Sequence, residues 1–459
     1  MKKILFVAPV PQENKPNDTK EFALVPRNVL LLASLTPPQY EVEIWDELFG
    51  PVDTSAAADL VAITCMTPTA RRAYDIAAQF RARGIPVIVG GIHPSMLPDE
   101  AARFADAVVI GEAEPIWTSI LADWDGNGLQ RRYHGHFADL GNVPRLRREL
   151  LRGEYSMDSI ETSRGCANDC AFCSVTRFFG GRHRRRPIQS VLAEVESLSS
   201  KVIYVTDDNI IGPRGFSTEQ ASQLFDGLRG MGKNLIAAAC VTISEEPRLL
   251  KQAADAGIRV LFIGFESIDV SALTTMNKRP NLKHKAENFT DAVRAIRDHG
   301  IAVCGGFIFG SDEDHPDVFS RTADFVMESG MDTAQFNLLV PMPATRLYAQ
   351  LEAEGRLQRT TYPHDWEFYN GFEVVYQPKN ISAEQLLRGQ LQAYEAIAPL
   401  SRSLRRAVGT LWSTRSLVSS LLTFSFTRGS HQSIRRAEEW RSRRRELEGA
   451  NSAPASPIS

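Results

Sequence analysis

Apolar residues in this chain fall into two recurring patterns. Short continuous apolar runs suit strands buried on both faces, and stretches with an apolar residue every three or four positions suit amphipathic helices. Runs at residues 3–8, 41–45, 60–64, 86–89 and 107–110 alternate with helical patterns such as 69–83 and 115–123. This alternation predicts a parallel sheet covered on both faces, a flavodoxin-like (Rossmann-type) doubly wound α/β domain over residues 1–132. Residues 133–155, with Pro144 and many arginines, read as a linker. The alternation then resumes, with strands at 159–163, 202–206, 235–240, 260–265, 301–309 and 333–340. Helical patterns at 187–198, 218–231, 246–256, 283–299 and 316–329 lie between them. These units predict a partial (β/α)6 barrel of the TIM type over 156–351, with its chemistry at the C-terminal strand ends. From 352 to 448 the chain reads as a mainly helical extension, with helices at 383–398, 402–423 and 435–448, and 449–459 reads as a disordered tail.

Composition changes this picture little. Of 459 residues, 43% are hydrophobic and 23% charged, as in an ordinary globular protein. The net charge of −3 gives no electrostatic footprint for nucleic acid. No run of 18 apolar residues suggests a transmembrane helix. No secretory leader is recognisable at the start, and with six cysteines in so long a chain the expectation is a cytoplasmic protein in a reducing compartment. Cys65, Cys240 and Cys304 lie in apolar runs and read as buried thiols.

The other three cysteines carry the chemistry. Cys166, Cys170 and Cys173 form a Cys-x3-Cys-x2-Cys run directly after a predicted strand. Three thiolates on one loop can hold three irons of a cubane and leave the fourth open, whereas electron-transfer clusters normally take four cysteines. Structural zinc would need a fourth ligand, and the nearest histidine, His183, lies in the basic run Arg182–Arg186. A disulfide framework would call for a secreted context. This run, with Phe172 just before its last cysteine, resembles the radical S-adenosylmethionine (SAM) superfamily. The resemblance implies a [4Fe-4S] cluster on Cys166, Cys170 and Cys173, with SAM chelated at the open iron. It also implies one-electron cleavage of SAM to a 5′-deoxyadenosyl radical.

The remaining barrel strand ends add candidates. Asp207, Asp208 and Asn209 offer carboxylates and an amide to the SAM ammonium, with an Asx turn as the plainer reading. Thr242 is a candidate hydrogen-bonding partner for SAM. Glu266 follows an apolar strand, where a carboxylate is costly to bury alone; the resemblance gives it a role in holding SAM. Gly306, Ile308 and Gly310 match the superfamily's Gly-x-Ile-x-Gly, which implies a seat for adenine. Thr345 and Arg346 are expected to face the substrate, and Arg184 or Arg186 either meets a SAM or substrate anion or belongs to a solvated face.

In the first domain the strand ends read Thr64-Cys65-Met66-Thr67, Gly90-Gly91-Ile92-His93 and Gly111-Glu112. Ligands of such folds bind there, and glycine allows close backbone approach. With Val25-Pro26-Arg27-Asn28 upstream, this set resembles the cobalamin-binding domain that precedes many radical SAM domains. The implied binding residues are Thr64, Met66, Thr67, Gly90, Gly91, His93, Gly111 and Glu112. The family's Asp-x-His-x-x-Gly motif is absent: the matching stretch is Trp45-Asp46-Glu47-Leu48-Phe49-Gly50, which has no imidazole to ligate cobalt from below. Glu354-Gly355-Arg356-Leu357 and Gly429-Ser430-His431 resemble the C-terminal extension of the hopanoid-methylase-like group. Tyr362, His364, Trp366, Phe368 and Tyr369 either roof a substrate or pack. The helix at 402–423, apolar with interspersed arginines, either packs on the barrel or lies on a membrane surface.

Together these resemblances imply a cobalamin-dependent radical SAM C-methyltransferase acting on an unactivated carbon of a small molecule or lipid. A flavodoxin- or ferredoxin-type electron donor is implied as partner. Oxidative cyclisation or ring rearrangement with the same cofactors, and a radical SAM enzyme whose first domain is empty, are the alternatives.

Overall fold

The computed structural model describes residues 1–11, 23–213 and 215–451. Strands β1 (Lys2–Ala8), β2 (Tyr40–Asp46), β3 (Leu60–Thr64), β4 (Val87–Gly90), β5 (Ala107–Ile110) and β6 (Arg132–His134) form one all-parallel sheet. Its order is β2-β1-β3-β4-β5-β6, the flavodoxin-like winding plus one strand. The extra strand, β6, falls across the start of the stretch read as linker, and its short polar sequence gives no apolar run to detect. Both faces are covered. Phe6, Leu30 and Trp117 lie in one apolar layer, and Phe80, Tyr74 and Val89 in the other.

The second sheet has strands β7 (Asp158–Ile160), β10 (Val202–Val205), β11 (Asn234–Ala239), β12 (Ile258–Glu266), β13 (Ala302–Phe309) and β14 (Thr333–Leu338). They pair in parallel and in chain order from β7 to β14, with no pairing between the two outer strands. This is an open six-stranded barrel. The two short strands β8 (Ser163–Arg164) and β9 (Arg184–Arg185) form an antiparallel hairpin at its mouth. Residues 23–25 run beside β7, with Leu24 bridging Met157 and Ser156 donating to the Ala23 carbonyl, so the first domain extends the open edge of the second. Glu194 fastens the join: it is nearly buried and receives Arg27, Arg148 and Arg186. Those three cations hold its carboxyl down at about 2 despite desolvation.

The C-terminal region departs from its expected outline. One helix was expected at 402–423 and a separate one at 435–448; the structure has Leu400–Thr414 and then Leu417–Asn451. The break is at Arg415, in the left-handed region with φ 52°, an unusual place for a non-glycine residue. The helix runs through the first residues of the expected tail, and 452–459 lie outside the described residues. Leu422 and Phe426 enter the barrel from below, against Ile236, Val260 and Ala302. The aromatic cluster packs: Trp366, Phe368 and Tyr369 are buried.

Candidate active site between the two sheets

The C-terminal ends of both sheets open onto one apolar layer. Cys65, Met276, Leu339, Trp366 and Tyr376 belong to it, with Phe172 and Ile308 at its margin. The loop from Gly165 to Cys173 is pinned on both sides. The Ala171 N–H donates to Met276 O and the Ala171 carbonyl accepts from Leu347 N. Asn277 donates to Asp169 O, and Arg346 pairs with the Asp169 carboxylate. Gly165 lets the loop start: at φ 85° a Cβ here would lie 2.2 Å from Arg182 O. The helix Ser174–Phe179 then packs on the first-domain segment Ile92–Met96.

All three loop cysteines are free thiols, Cys170 buried and the others half-buried. Burial pushes them above their ordinary range, Cys170 to about 12, while the Lys278 ammonium opposes the rise. Iron must therefore displace their protons. Among the described residues, no group of His, Cys, Asp or Glu converges on one point as a single ion requires. Thiols set apart along a loop suit a cluster whose irons each take one thiolate. Cys240, expected in the core, lies instead at the mouth, where its sulfur accepts from Asn168 Nδ2 at 3.2 Å.

Two of the three acidic and amide candidates after β10 are structural. Asp207 is buried and accepts from Thr162 N, Thr162 Oγ1 and Ser163 Oγ, which hold the strand end before the loop. Asn209 is buried, with Oδ1 accepting from Cys240 N. Asp208 reaches open space and accepts from Gly165 N at 3.1 Å. Surrounding protein desolvates it and pushes its carboxyl up to about 6 against that hydrogen bond, with Asp207 and Glu161 adding to the rise.

Glu266 lies at the end of β12 with φ 63° and pairs with Lys278. Both side chains are nearly buried, at 12% and 13% exposure. Desolvation is the largest single effect and works against the ammonium, but Glu266, Cys170 and Cys240 together outweigh it and Lys278 titrates above its ordinary range. Sequence reading missed Lys278, whose one signal is its place twelve residues after Glu266 in a polar turn. Thr242 is half-buried in the turn after β11. Gly306 leaves room for the Phe262 ring, and Gly310 is covered by Tyr376, whose hydroxyl donates to the Gly310 carbonyl. Ile308 remains partly open at the mouth. Thr345 caps the helix Arg346–Ala353, and Arg346 pairs with Asp169 on the thiol loop. Arg184 is spent on Glu112 and Arg186 on Glu194.

On the first-domain side Thr64, Gly90, Gly91 and Gly111 are half-buried at the strand ends. Met66 is 57% exposed, and Asn28 Nδ2 donates to Thr64 Oγ1 at 2.6 Å. Gly91 sits at φ 110°, where a Cβ would come within 2.7 Å of Cys65 O. Three of the expected residues have their side chains engaged within the protein. His93 is fully buried, with Nδ1 on Thr67 Oγ1 at 3.2 Å and Nε2 on Glu100 Oε1 at 3.1 Å. Thr67 is buried as its partner. Glu112 is buried in ion pairs with Arg164 and Arg184. Glu100 also receives Trp366 Nε1 at 3.0 Å and the Tyr74 hydroxyl at 3.2 Å, which locks the C-terminal region to the first domain. In the stretch that lacks histidine, Asp46 accepts from the Tyr155 hydroxyl and Glu47 pairs with Arg72.

Residues 160–326 match the model of the radical SAM superfamily, and residues 41–120 match that of the B12 binding domain. The chain is a cobalamin-binding radical SAM enzyme. Its cofactors are a [4Fe-4S] cluster, SAM and cobalamin. It is 29% identical to bacteriochlorophyllide d C-12(1)-methyltransferase of Chlorobaculum tepidum over 437 residues, 90% of this chain and 91% of that protein. It is 27% identical to hopanoid C-2 methylase of Rhodopseudomonas palustris, over 72% of this chain and 65% of that protein. In fold it is similar to the radical SAM methyltransferase TsrM from Kitasatospora setae, solved with cobalamin and a [4Fe-4S] cluster, at a TM-score of 0.68 and 17% identity. That likeness covers 96% of this chain and 100% of TsrM.

Proposed function

We propose that this radical SAM enzyme transfers a methyl group to an unactivated carbon of a small molecule, through hydrogen abstraction by a 5′-deoxyadenosyl radical. The observation that carries the reading is that the helix after the thiol loop packs on the first-domain segment Ile92–Met96, and that Phe172 and Cys65 share one apolar layer. Both relatives described above are named as methylating enzymes. When bound, the cluster supplies the electron that cleaves SAM and cobalamin supplies a methyl carrier.

The chain's own residues do the rest. Cys166, Cys170 and Cys173 hold the cluster, and the Met276–Asn277 and Arg346–Leu347 anchors fix their loop. Asp208 receives the SAM ammonium, and Thr242 and Ile308 face its nucleoside end. Glu266 and Lys278 hold each other in place at the mouth. Thr64, Met66, Gly90, Gly91 and Gly111 bear cobalamin. The apolar lining of Phe172, Leu339 and Ile308 keeps water from a carbon radical. The substrate is a largely apolar molecule, a lipid or a tetrapyrrole, as the two relatives' names also suggest. Electrons come from a flavodoxin- or ferredoxin-type donor.

The test is anaerobic incubation of the cobalamin-loaded, iron-reconstituted protein with methyl-labelled SAM, dithionite and candidate tetrapyrrole and lipid extracts. The expected result is a product that gains one labelled methyl while 5′-deoxyadenosine accumulates. A product that loses hydrogens and gains no label would replace methylation by oxidation.

A further inference from the structure

The helix Leu400–Thr414 is turned inside out. Amphipathic helices set their apolar stripe against the core. Here Ser403, Thr410 and Thr414 are buried, while Leu400, Leu404, Val408, Leu411 and Trp412 are exposed, Trp412 at 80%. Their spacing places them on one face. Leu417 and Leu421 continue the surface on the next helix, at 61% and 57% exposure.

The orientation is specified. Thr410 Oγ1 donates to Asp332 Oδ1 at 2.6 Å, and Arg297 donates to Ser413 Oγ at 3.0 Å. Ser419 Oγ donates to Arg259 O at 3.1 Å, and Thr427 shares a hydrogen bond with Thr333 at 2.8 Å. Rotating the first helix to bury its leucines would strand the buried Thr410 and Asp332 at a desolvation cost.

Charge selects the occupant. Between Glu395 and Glu438 the chain has seven arginines and no acidic residue. Arg402, Arg405 and Arg415 are exposed beside the apolar face, and Arg405 and Arg415 make no ion pair among the described residues. No helix among the described residues is long and apolar enough to cross a membrane. A leucine face with a projecting tryptophan and flanking arginines suits a helix lying in an interface, with tryptophan at headgroup depth and arginines on anionic lipid.

We infer that the Leu400–Thr414 helix and the start of the Leu417–Asn451 helix dock this enzyme on an anionic membrane surface. Asp332, Arg259 and Thr333 lie at the N-terminal ends of the barrel strands or just before them, so the docking face is at the end opposite the cofactors. Docking sets the enzyme's location and leaves the site facing away from the bilayer.

The test is flotation of the full-length protein with phosphatidylcholine vesicles, with and without phosphatidylglycerol. The protein should float with the anionic vesicles alone, and raising salt to about 1 M should release it as the Debye length shrinks to about 3 Å. The double substitution Leu404→Ser, Trp412→Ser should lower vesicle binding about tenfold or more and leave SAM cleavage unchanged. The pair Arg405→Glu, Arg415→Glu should abolish the preference for phosphatidylglycerol. The inference is overturned by absence of flotation with either vesicle or by flotation that both variants retain. It is also overturned if the protein sediments as a dimer that Leu404→Ser, Trp412→Ser dissociates, since a second copy would then cover the face.

Discussion

Replacing Lys278 by methionine should destabilise the barrel by about 3–5 kcal/mol, the usual cost of removing one partner from a buried ion pair. Methionine keeps most of the side-chain volume, so the loss is electrostatic. The Glu266 carboxylate, 12% exposed, is left without its cation. Glu266→Gln in the same background removes the stranded charge, and the double variant should recover to within about 2 kcal/mol of the parent. Lys278 titrates above its ordinary range, so the pair's contribution is complete below that range and is lost only as pH rises through the elevated value. The destabilisation should therefore be flat between about pH 6 and 9. Urea unfolding of the iron-free chain, read as a double-mutant cycle on the transition of the barrel, measures it. Additive single effects, or a Lys278→Met cost within about 0.5 kcal/mol of zero, would refute the reasoning. A second readout follows from the thiols: with the ammonium gone, iron uptake by the loop should require higher pH, because Lys278 opposes the rise of all three cysteines.

Asp208→Asn should weaken SAM binding about tenfold or more, the loss expected for a charge-assisted hydrogen bond. In the parent, SAM affinity should fall as pH drops through about 6, where the raised carboxyl takes up its proton, and the Asn variant should show no such step in isothermal titration. Gly91→Ala should cost about 1–3 kcal/mol of strain and lower cobalamin retention by absorbance, since its Cβ would press on Cys65 O. Glu112→Gln should leave Arg164 its pairs with Glu114 and Glu161 but strip Arg184 of its carboxylate. Faster limited proteolysis between residues 133 and 155 would report it. Cys166→Ala should abolish bound iron and leave the far-UV circular dichroism unchanged.

Many strand positions were legible because parallel strands buried on both faces need continuous apolar runs, as Ala302–Phe309 shows, whereas Asp158–Ile160 supplies none. The three-cysteine loop was legible because its spacing is local. What sequence did not separate was cofactor contact from scaffold at a strand end. Asp207 and Asp208 are neighbours of identical chemistry, yet one ties down Thr162 and Ser163 and the other meets open space. His93 and Glu112 stand where cofactor loops stand, but Glu100, on the next helix, and Arg184, from the other domain, claim them. Lys278 was invisible for the same reason, its meaning resting on Glu266 and the cysteines across the mouth. The helix break at Arg415 has no proline or glycine to announce it.

Arg164 stands two residues before the first cluster cysteine and is held by Glu112 and Glu114, which follow a strand end of the other domain. Any ligand that immobilises one of these loops prepays part of the ordering cost of the other. Thermodynamic reciprocity then requires that the benefit run both ways. A cofactor that ordered its own loop would then favour the binding of the other, whichever came first.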